Sequence, residues 1–253
     1  MTLSLRLLGV GSAAAVELGN ASAVLVRDGK PLLLIDCGLE ALKRWLDIYR
    51  TPPSAIYLTH AHMDHVGGLE QLFYRIYFDA DWRGRVKLYA HAALVPILQS
   101  RVADYPDVLA EGGANFWDAF QLIPVSRGFW HDGLWFDVFP TRHHAPQTSF
   151  GISLRGSFVW TGDTRPIPEM LSQFAANDEI VAHDCGVVGN PSHTGLDDLE
   201  REYPKFLRDR LLLYHYASAD AGEQLANAGY RVAKADDLIA LREPLAEVRV
   251  AVD

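Results

Sequence analysis

Cysteine is scarce in this sequence, which has only Cys37 and Cys185 among its 253 residues. Two cysteines are too few for a disulfide framework, so the chain does not need an oxidising compartment and we expect a cytoplasmic protein. Long apolar runs are also missing. The apolar stretches at 31–35 and 211–213 are far shorter than the ~20 residues that a membrane-spanning helix needs. The sequence therefore predicts no membrane segment.

Basic residues are outnumbered, because 23 lysines and arginines stand against 32 aspartates and glutamates. The formal net charge is −9 with neutral histidine, and the sequence has no run of lysine or arginine. Proteins that bind long nucleic acids usually present a basic surface. We therefore do not expect a long nucleic acid as the partner, whereas a small anion held by a metal ion remains compatible with this charge.

The remaining composition is that of a folded domain, with 49% apolar and 22% charged residues. No repeat, low-complexity segment or flexible linker interrupts the chain, so we predict a single domain over residues 1–253. Short apolar strands alternate with amphipathic helices, and Asp28-Gly29 between two apolar runs is typical of a β-hairpin. This mixture of hairpins and crossovers predicts an α/β fold with two mixed β-sheets covered by helices.

The residues that say most about chemistry follow a short apolar strand at 56–58. Three histidines and one aspartate lie within six positions, as His60, His62, Asp64 and His65. Residues two apart in an extended segment point to the same side, so His60 and His62 share a face, and Asp64 and His65 lie beyond them on a turn. Imidazole and carboxylate together suit zinc, manganese or iron(II). This cluster predicts a transition-metal site.

Other histidines and aspartates follow apolar strands in the same way. The ends of parallel or stacked strands meet at one edge of a sheet, where α/β proteins form their sites. We therefore expect these side chains to join the cluster at 60–65. They are His143 or the adjacent His144, Asp163, His183 and His215.

These motifs resemble those of the metallo-β-lactamase superfamily, and the resemblance covers nearly the whole chain. Several segments look like the branch that contains tRNase Z and phosphodiesterases. They are Leu8-Gly9-Val10-Gly11-Ser12, Leu34-Ile35-Asp36-Cys37-Gly38, Asp64-His65-Val66-Gly67-Gly68, Val181-Ala182-His183-Asp184-Cys185 and Ser192-His193-Thr194. The resemblance implies an αββα sandwich, in which two mixed β-sheets are flanked by helices.

The resemblance also implies two divalent metal ions, with zinc as the expected metal and manganese as the alternative. The ligands would form two sets that share a bridging carboxylate: His60, His62 and His143 or His144 for one ion, Asp64, His65 and His215 for the other, and Asp163 for both. His143 fits the register of the preceding strand better, whereas His144 would leave a following loop of more usual length. Asp36 would orient a ligand imidazole, or else be a buried turn acid held by backbone donors.

The roles in the reaction follow from the same resemblance. A water activated by the metal pair would attack phosphorus, and Asp64 would accept a proton from it. The departing oxygen needs a proton, and His183, oriented by Asp184, is the first choice as its donor. His193 would take that role instead or contact the phosphate. The sequence departs from the family here, because residues 183–186 read His-Asp-Cys-Gly where the family has His-Glu-Ala-Thr.

The expected function is that of a metal-dependent hydrolase, a phosphodiesterase for a small phosphodiester such as a cyclic nucleotide. The protruding tRNA-binding arm of tRNase Z has no counterpart, because no basic, glycine- or proline-rich insertion lies between Gly67 and Leu134. The alternatives are a lactone or thioester hydrolase, a nuclease similar to the tRNA 3′-processing enzymes, and a non-catalytic binding module stabilised by metal. A homodimer is common in the branch that the sequence resembles, so we expect one.

Overall fold

Two seven-stranded mixed sheets form the framework of the computed structural model, which describes residues 2–104, 108–109 and 112–245. The strands of the first half of the chain are β1 (Leu3–Gly9), β2 (Ser22–Arg27), β3 (Lys30–Ile35), β4 (Ala55–Leu58), β5 (Val86–His91), β6 (Val108–Leu109), β7 (Gly112–Gly113) and β8 (Phe120–Val125). The later strands are β9 (Gly128–His131), β10 (Leu134–Pro140), β11 (Phe150–Leu154), β12 (Phe158–Trp160), β13 (Ile180–Asp184), β14 (Leu211–Tyr214), β15 (Arg231–Val232) and β16 (Leu238–Leu241).

The strand order separates the two halves of the chain into two sheets. The first sheet runs β16-β1-β2-β3-β4-β5-β8, and the second runs β15-β14-β13-β12-β11-β10-β9. Strands β3, β4, β5 and β8 pair in parallel, as do β12, β13, β14 and β15, while the other pairs in these sheets are antiparallel. Strands β6 and β7 form a separate two-stranded ladder.

Helices cover the outer faces of the sheets. They are α1 (Leu39–Tyr49), α2 (Met63–Val66), α3 (Gly68–Tyr77), α4 (Val95–Leu98), α5 (Pro168–Phe174), α6 (Leu196–Glu202), α7 (Lys205–Arg208) and α8 (Ala219–Asn227). The apolar face of α1 is buried against β1 and α3, and α5 packs on β10. Among the described residues, no helix combines the length and the apolar character that crossing a bilayer requires.

The inner faces of the two sheets pack directly on each other. Tyr57 of β4 donates its hydroxyl to the carbonyl oxygens of Phe150 and Gly151 in β11, at 3.2 Å each. Tyr89 of β5 stacks on Phe129 of β9, with ring centroids 4.1 Å apart. Because aromatic side chains of both sheets share this core and the helices lie outside it, the predicted αββα sandwich is confirmed.

The hairpin predicted from Asp28-Gly29 is also confirmed, since these two residues connect β2 to the antiparallel β3. Both have positive φ angles, 49° and 76°, as tight hairpin turns require. The turn lies at the end of the sandwich where β3 and its parallel neighbours begin. The opposite end, where those strands finish, carries the histidines and aspartates that the sequence singled out.

Candidate metal centre

Side chains from both sheets meet beyond the carboxyl ends of their strands. The first sheet contributes His60, which follows β4, and the residues of the short helix α2 directly after it. The second sheet contributes His143, Asp163 and His215, which follow β10, β12 and β14. Segments more than 150 residues apart in the sequence are thereby brought to one buried cluster.

The first group of metal-type ligand atoms belongs to His60, His62, His143 and Asp163, and these atoms lie within 4.8 Å of one another. His143 Nε2 is 3.1 Å from His62 Nδ1 and 3.7 Å from Asp163 Oδ2. His144 is not part of this group, and its Nδ1 lies 3.1 Å from the hydroxyl oxygen of Ser192. Of the two adjacent histidines, the structure therefore places His143 at the centre.

The second group comprises Asp64, His65, Asp163 and His215, all of them buried. His215 Nε2 lies 3.2 Å from Asp163 Oδ2, and His65 Nε2 lies 3.4 Å from Asp163 Oδ1. Asp64 Oδ2 lies 3.3 Å from His65 Nε2 and 3.6 Å from His215 Nε2. Asp163 is thus common to both groups, and one of its oxygens faces histidines of each.

Several atoms at the centre are buried without a hydrogen-bond partner among the described residues. They are Nε2 of His60, His65 and His215 and Oδ1 of Asp163. A buried polar atom left without a partner is costly, so four of them in one cluster call for a ligand. Nitrogen and carboxylate donors in this arrangement suit a divalent cation such as zinc or manganese. The residues therefore fit the divalent metal that the sequence predicted.

Hydrogen bonds at Nδ1 fix the ring orientation of two of the imidazoles, so that their Nε2 atoms point into the cluster. His65 Nδ1 donates to Asp36 Oδ2 at 2.8 Å, which directs its Nε2 toward Asp64 and Asp163. The Thr59 hydroxyl donates to the same carboxylate oxygen at 2.8 Å and accepts from His60 Nδ1 at 3.0 Å. Asp36 thereby orients ligand imidazoles, directly and through Thr59, which is one of the two roles considered for it.

Two further imidazoles, those of His143 and His215, are held from the second half of the chain. His143 Nδ1 donates to the carbonyl oxygen of Ser192 at 3.0 Å, and His215 Nδ1 lies 3.4 Å from Asp184 Oδ1. His215 also has a left-handed backbone with φ of 68°, and its N–H donates to the carbonyl oxygen of Val10 at 2.7 Å. Strand β14 therefore ends at Tyr214, and the backbone of His215 turns its side chain into the cluster.

Burial and neighbouring charges set opposite protonation preferences within the cluster. Burial, reinforced by the adjacent His65, holds the pKa of His60 well below its usual range, so this imidazole is neutral. Burial opposes protonation of His215 as well, but the facing carboxylates of Asp163 and Asp184 outweigh it and raise its pKa to about 10. A cation at the centre would take the place of that proton, as metal binding to histidine generally requires.

A second carboxylate–histidine pair lies beside the centre. His193 Nδ1 donates to Asp184 Oδ2 at 2.8 Å, and the His193 ring stacks on His215 with centroids 4.9 Å apart. Burial lowers the pKa of His193, but the bond to Asp184 outweighs it and raises the pKa. The side chain keeps 25% of its surface exposed and borders a cavity of about 280 Å³. His193 is therefore oriented and accessible, as a proton donor must be.

The expectation for His183 requires a correction. Its side chain is fully buried, its Nδ1 donates to the carbonyl oxygen of Asp184 at 2.7 Å, and its Nε2 accepts from the Tyr203 hydroxyl at 2.8 Å. His183 and Asp184 are consecutive in β13, so their side chains point to opposite faces of the sheet. Asp184 faces the centre, and His183 therefore faces away and has no free ring nitrogen to donate a proton.

This arrangement predicts that Tyr203→Phe affects stability and not turnover. The Tyr203 hydroxyl bridges His183 Nε2 and the backbone N–H of Ile167, so its loss leaves both buried groups without a partner. We expect the free energy of unfolding, measured by urea titration, to fall by about 1–3 kcal/mol. The kcat of the folded variant, for the hydrolysis that the sequence predicts, should stay unchanged. A large fall in kcat at unchanged stability would contradict this prediction and indicate that His183 takes part in the reaction.

Comparison with known proteins places the chain in a family. The family model described as "Anti-Pycsar protein Apyc1" matches residues 3–238. The chain belongs to the Apyc1 family. It is 28% identical over 225 residues to the Apyc1 protein of Paenibacillus xerothermodurans, covering 85% of this chain and 88% of that relative. With the Apyc1 protein of Saccharibacillus brassicae it shares 30% identity over 223 residues, covering 85% and 90%.

Apyc1 relatives also occur in phages, and the fold has wider structural neighbours. The Apyc1 protein of Bacillus phage BSP38 is 27% identical over 237 residues, covering 85% of this chain and 89% of the relative. A diphosphatase of the PhnP family superposes with a TM-score of 0.74 at 20% identity, covering 96% of this chain and 100% of the other. For the short form of human tRNase Z the TM-score is 0.63 at 18% identity, with coverage of 95% and 100%.

Membership of the Apyc1 family and the fold together confirm the resemblance to the metallo-β-lactamase superfamily. On this basis the chain is a metal-dependent hydrolase, as the sequence predicted. The comparisons thus indicate the type of reaction, hydrolysis, to which the two ligand groups would contribute.

Proposed function

We propose that this member of the Apyc1 family is a phosphodiesterase that hydrolyses a small phosphodiester, with cyclic nucleotides as the substrate class. The observation that carries the proposal is that Asp163 belongs to two adjacent groups of ligand atoms. A shared carboxylate is the arrangement that holds two divalent cations close together, and paired cations suit in-line displacement at phosphorus. Zinc is the proposed metal, because histidine nitrogens dominate both groups.

The proposed ligand sets follow the two groups. His60, His62 and His143 would hold one cation, Asp64, His65 and His215 would hold the other, and Asp163 would be shared. A pair of divalent cations supplies Lewis acidity, which lowers the pKa of a bound water and neutralises negative charge on phosphoryl oxygens. The residues of the chain itself orient the imidazoles, through Asp36, Thr59 and Asp184, and transfer the protons.

Asp64 and His193 are the proposed proton-transfer residues. Asp64 lies at the edge of the second group, with its carboxylate near His65 and His215, where it can accept a proton from the attacking water. His193 stacks on His215 and borders the cavity, where it would reach the departing oxygen. Asp184 holds His193 in the orientation in which Nε2 is available as the donor.

The cavity and the charge of the chain support a small substrate. The cavity beside His193 has a volume of about 280 Å³ and is lined by polar Ser12 and Asn190 and by apolar Val187. That volume is near the lower end for small-molecule sites and does not suit a folded RNA. The formal net charge of −9 likewise disfavours a long polyanion. A homodimer and a cytoplasmic location, both drawn from the sequence, remain part of the proposal.

Hydrolysis assays with and without a chelator test the proposal directly. We expect the metal-loaded protein to hydrolyse bis(p-nitrophenyl) phosphate and a cyclic nucleotide, to lose both activities with chelator, and to recover them when zinc or manganese is returned. Turnover of a lactone or thioester alone would contradict the phosphodiesterase assignment. Binding of metal without chelator-sensitive turnover of any of these substrates would instead favour a binding module.

A further inference from the structure

A larger polar cavity lies at the opposite end of the sandwich from the candidate metal centre. Its volume is about 570 Å³. The β2–β3 turn, the start of β5 and the β9–β10 turn line it, so it lies where β3, β5 and β10 begin, whereas His143 follows the carboxyl end of β10. Seven residues of β10 span about 23 Å, which separates the two places. This cavity is therefore not part of the substrate site.

Positively charged side chains are concentrated in this cavity, although the protein as a whole is acidic. Arg27, Lys30, Arg85 and Lys87 line it, and we call the cavity formed by these four residues and His131 the basal pocket. Each of the four comes from a strand end or a turn, and the first sheet supplies them all. Four cations in one cavity contrast with the net charge of −9 for the chain. Such a concentration favours an anionic ligand.

The two carboxylates of the basal pocket do not neutralise these cations. Asp132 pairs with Arg27, and Asp28 Oδ1 accepts from the backbone N–H of Thr2 at 2.8 Å. Within the described parts of the chain, no carboxylate lies within ion-pair distance of Lys30, Arg85 or Lys87. Three cations therefore remain for a ligand.

The floor of the basal pocket is built by bonds between the two sheets. His131 of β9 donates from Nε2 to the carbonyl oxygen of Leu32 in β3 and accepts at Nδ1 from the hydroxyl of Tyr89 in β5, at 3.1 Å each. Arg27 Nη1 donates to the carbonyl oxygen of Asp132 at 2.8 Å. These hydrogen bonds pair the polar groups at the bottom of the pocket without using Lys30, Arg85 or Lys87. They also hold the pocket in shape when no ligand is bound.

We propose that the basal pocket binds a small phosphate-bearing anion of nucleotide size. Arginine and lysine side chains together are the usual partners of phosphate oxygens, since guanidinium matches two oxygens and ammonium acts as a point charge. The volume of about 570 Å³ lies within the range of small-molecule sites and exceeds what inorganic phosphate alone requires. This proposal does not depend on the phosphodiesterase activity, because no residue of the basal pocket belongs to the metal centre.

Titration calorimetry with 5′-AMP and with inorganic phosphate, on the metal-loaded protein, tests the basal pocket. The test variant is Arg85→Gln/Lys87→Gln. The matched control is Lys43→Gln/Arg75→Gln, which removes two exposed cations from α1 and α3. We expect the test variant to bind one anion fewer per chain than the wild type, or to bind it at least about 10-fold more weakly, and the control to match the wild type. Loss of binding seen with phosphate but not with 5′-AMP would contradict an occupant of nucleotide size.

Equal stoichiometry and affinity in the wild type and the test variant, for both anions, would overturn the proposal. Lys30→Gln, at the exposed first residue of β3, serves as a second variant if the double variant does not fold, and it should weaken the same binding event. Phosphodiester turnover by both variants should stay within twofold of the wild type. A failure of the basal pocket is thereby distinguishable from a failure of the proposed catalytic function.

Discussion

Replacing His193 with alanine is expected to slow the hydrolysis of a cyclic nucleotide by about 10²–10⁴-fold while the metal content stays unchanged. The reason is the position of His193, which is held by Asp184 at 2.8 Å and stacks on a ligand histidine without belonging to either ligand group around Asp163. Its loss removes a proton donor from the departing oxygen. The measurement is kcat together with elemental analysis of the purified variant.

A comparison of two substrates with different leaving groups tests the proton-donor role of His193 specifically. A p-nitrophenolate leaving group departs without a proton, so His193→Ala should reduce the turnover of bis(p-nitrophenyl) phosphate much less than that of a cyclic nucleotide. His144→Ala is the matched control, because His144 is an exposed neighbour bonded to the Ser192 hydroxyl. The control should keep its metal and its turnover. Equal losses on both substrates, or a loss of metal in His193→Ala, would contradict the role as proton donor.

The sequence predicted that these ligand-type side chains would cluster, because its signals are local. His60, His62, Asp64 and His65 lie within six positions, and Asp163 and His215 each follow an apolar strand. Strand ends of an α/β fold gather at one edge, so residue type and strand position together were enough to predict the cluster. The choice between His143 and His144 was not local. It depends on the carbonyl oxygen of Ser192, 49 residues away, which holds the His143 ring.

Of the two histidines considered as the proton donor, the structure does not support His183, for a reason that the sequence itself contained. Neighbouring residues in a strand point to opposite faces, so His183 and Asp184 could not both face the metal centre. Once Asp184 is assigned to the centre, His193 becomes the histidine that it orients. The basal pocket had no such signal, because Arg27, Arg85 and His131 come from three separate turns and strand ends. Only the folded chain brings them together.

Asp163→Asn should have the largest effect of any single substitution, because Asp163 is the one carboxylate shared by both ligand groups. Asparagine keeps the shape of the side chain but removes the negative charge. We expect fewer than two divalent ions per chain and a loss of turnover of at least about 10³-fold, since a catalytic metal contributes several kcal/mol and each 1.4 kcal/mol is tenfold in rate. Elemental analysis and kcat on the same preparation measure both effects.

The control for Asp163→Asn is Asp209→Asn, which removes the same charge from an exposed carboxylate paired with Lys205. It should retain two metal ions and the wild-type kcat. Asp163→Asn also removes the buried carboxylate that pairs with His65 and His215 in the metal-free protein, so circular dichroism of the variant is recorded to show that it is folded. If Asp163→Asn retained two tightly bound ions and full turnover, the shared-carboxylate centre would be wrong, and with it the proposed dinuclear chemistry.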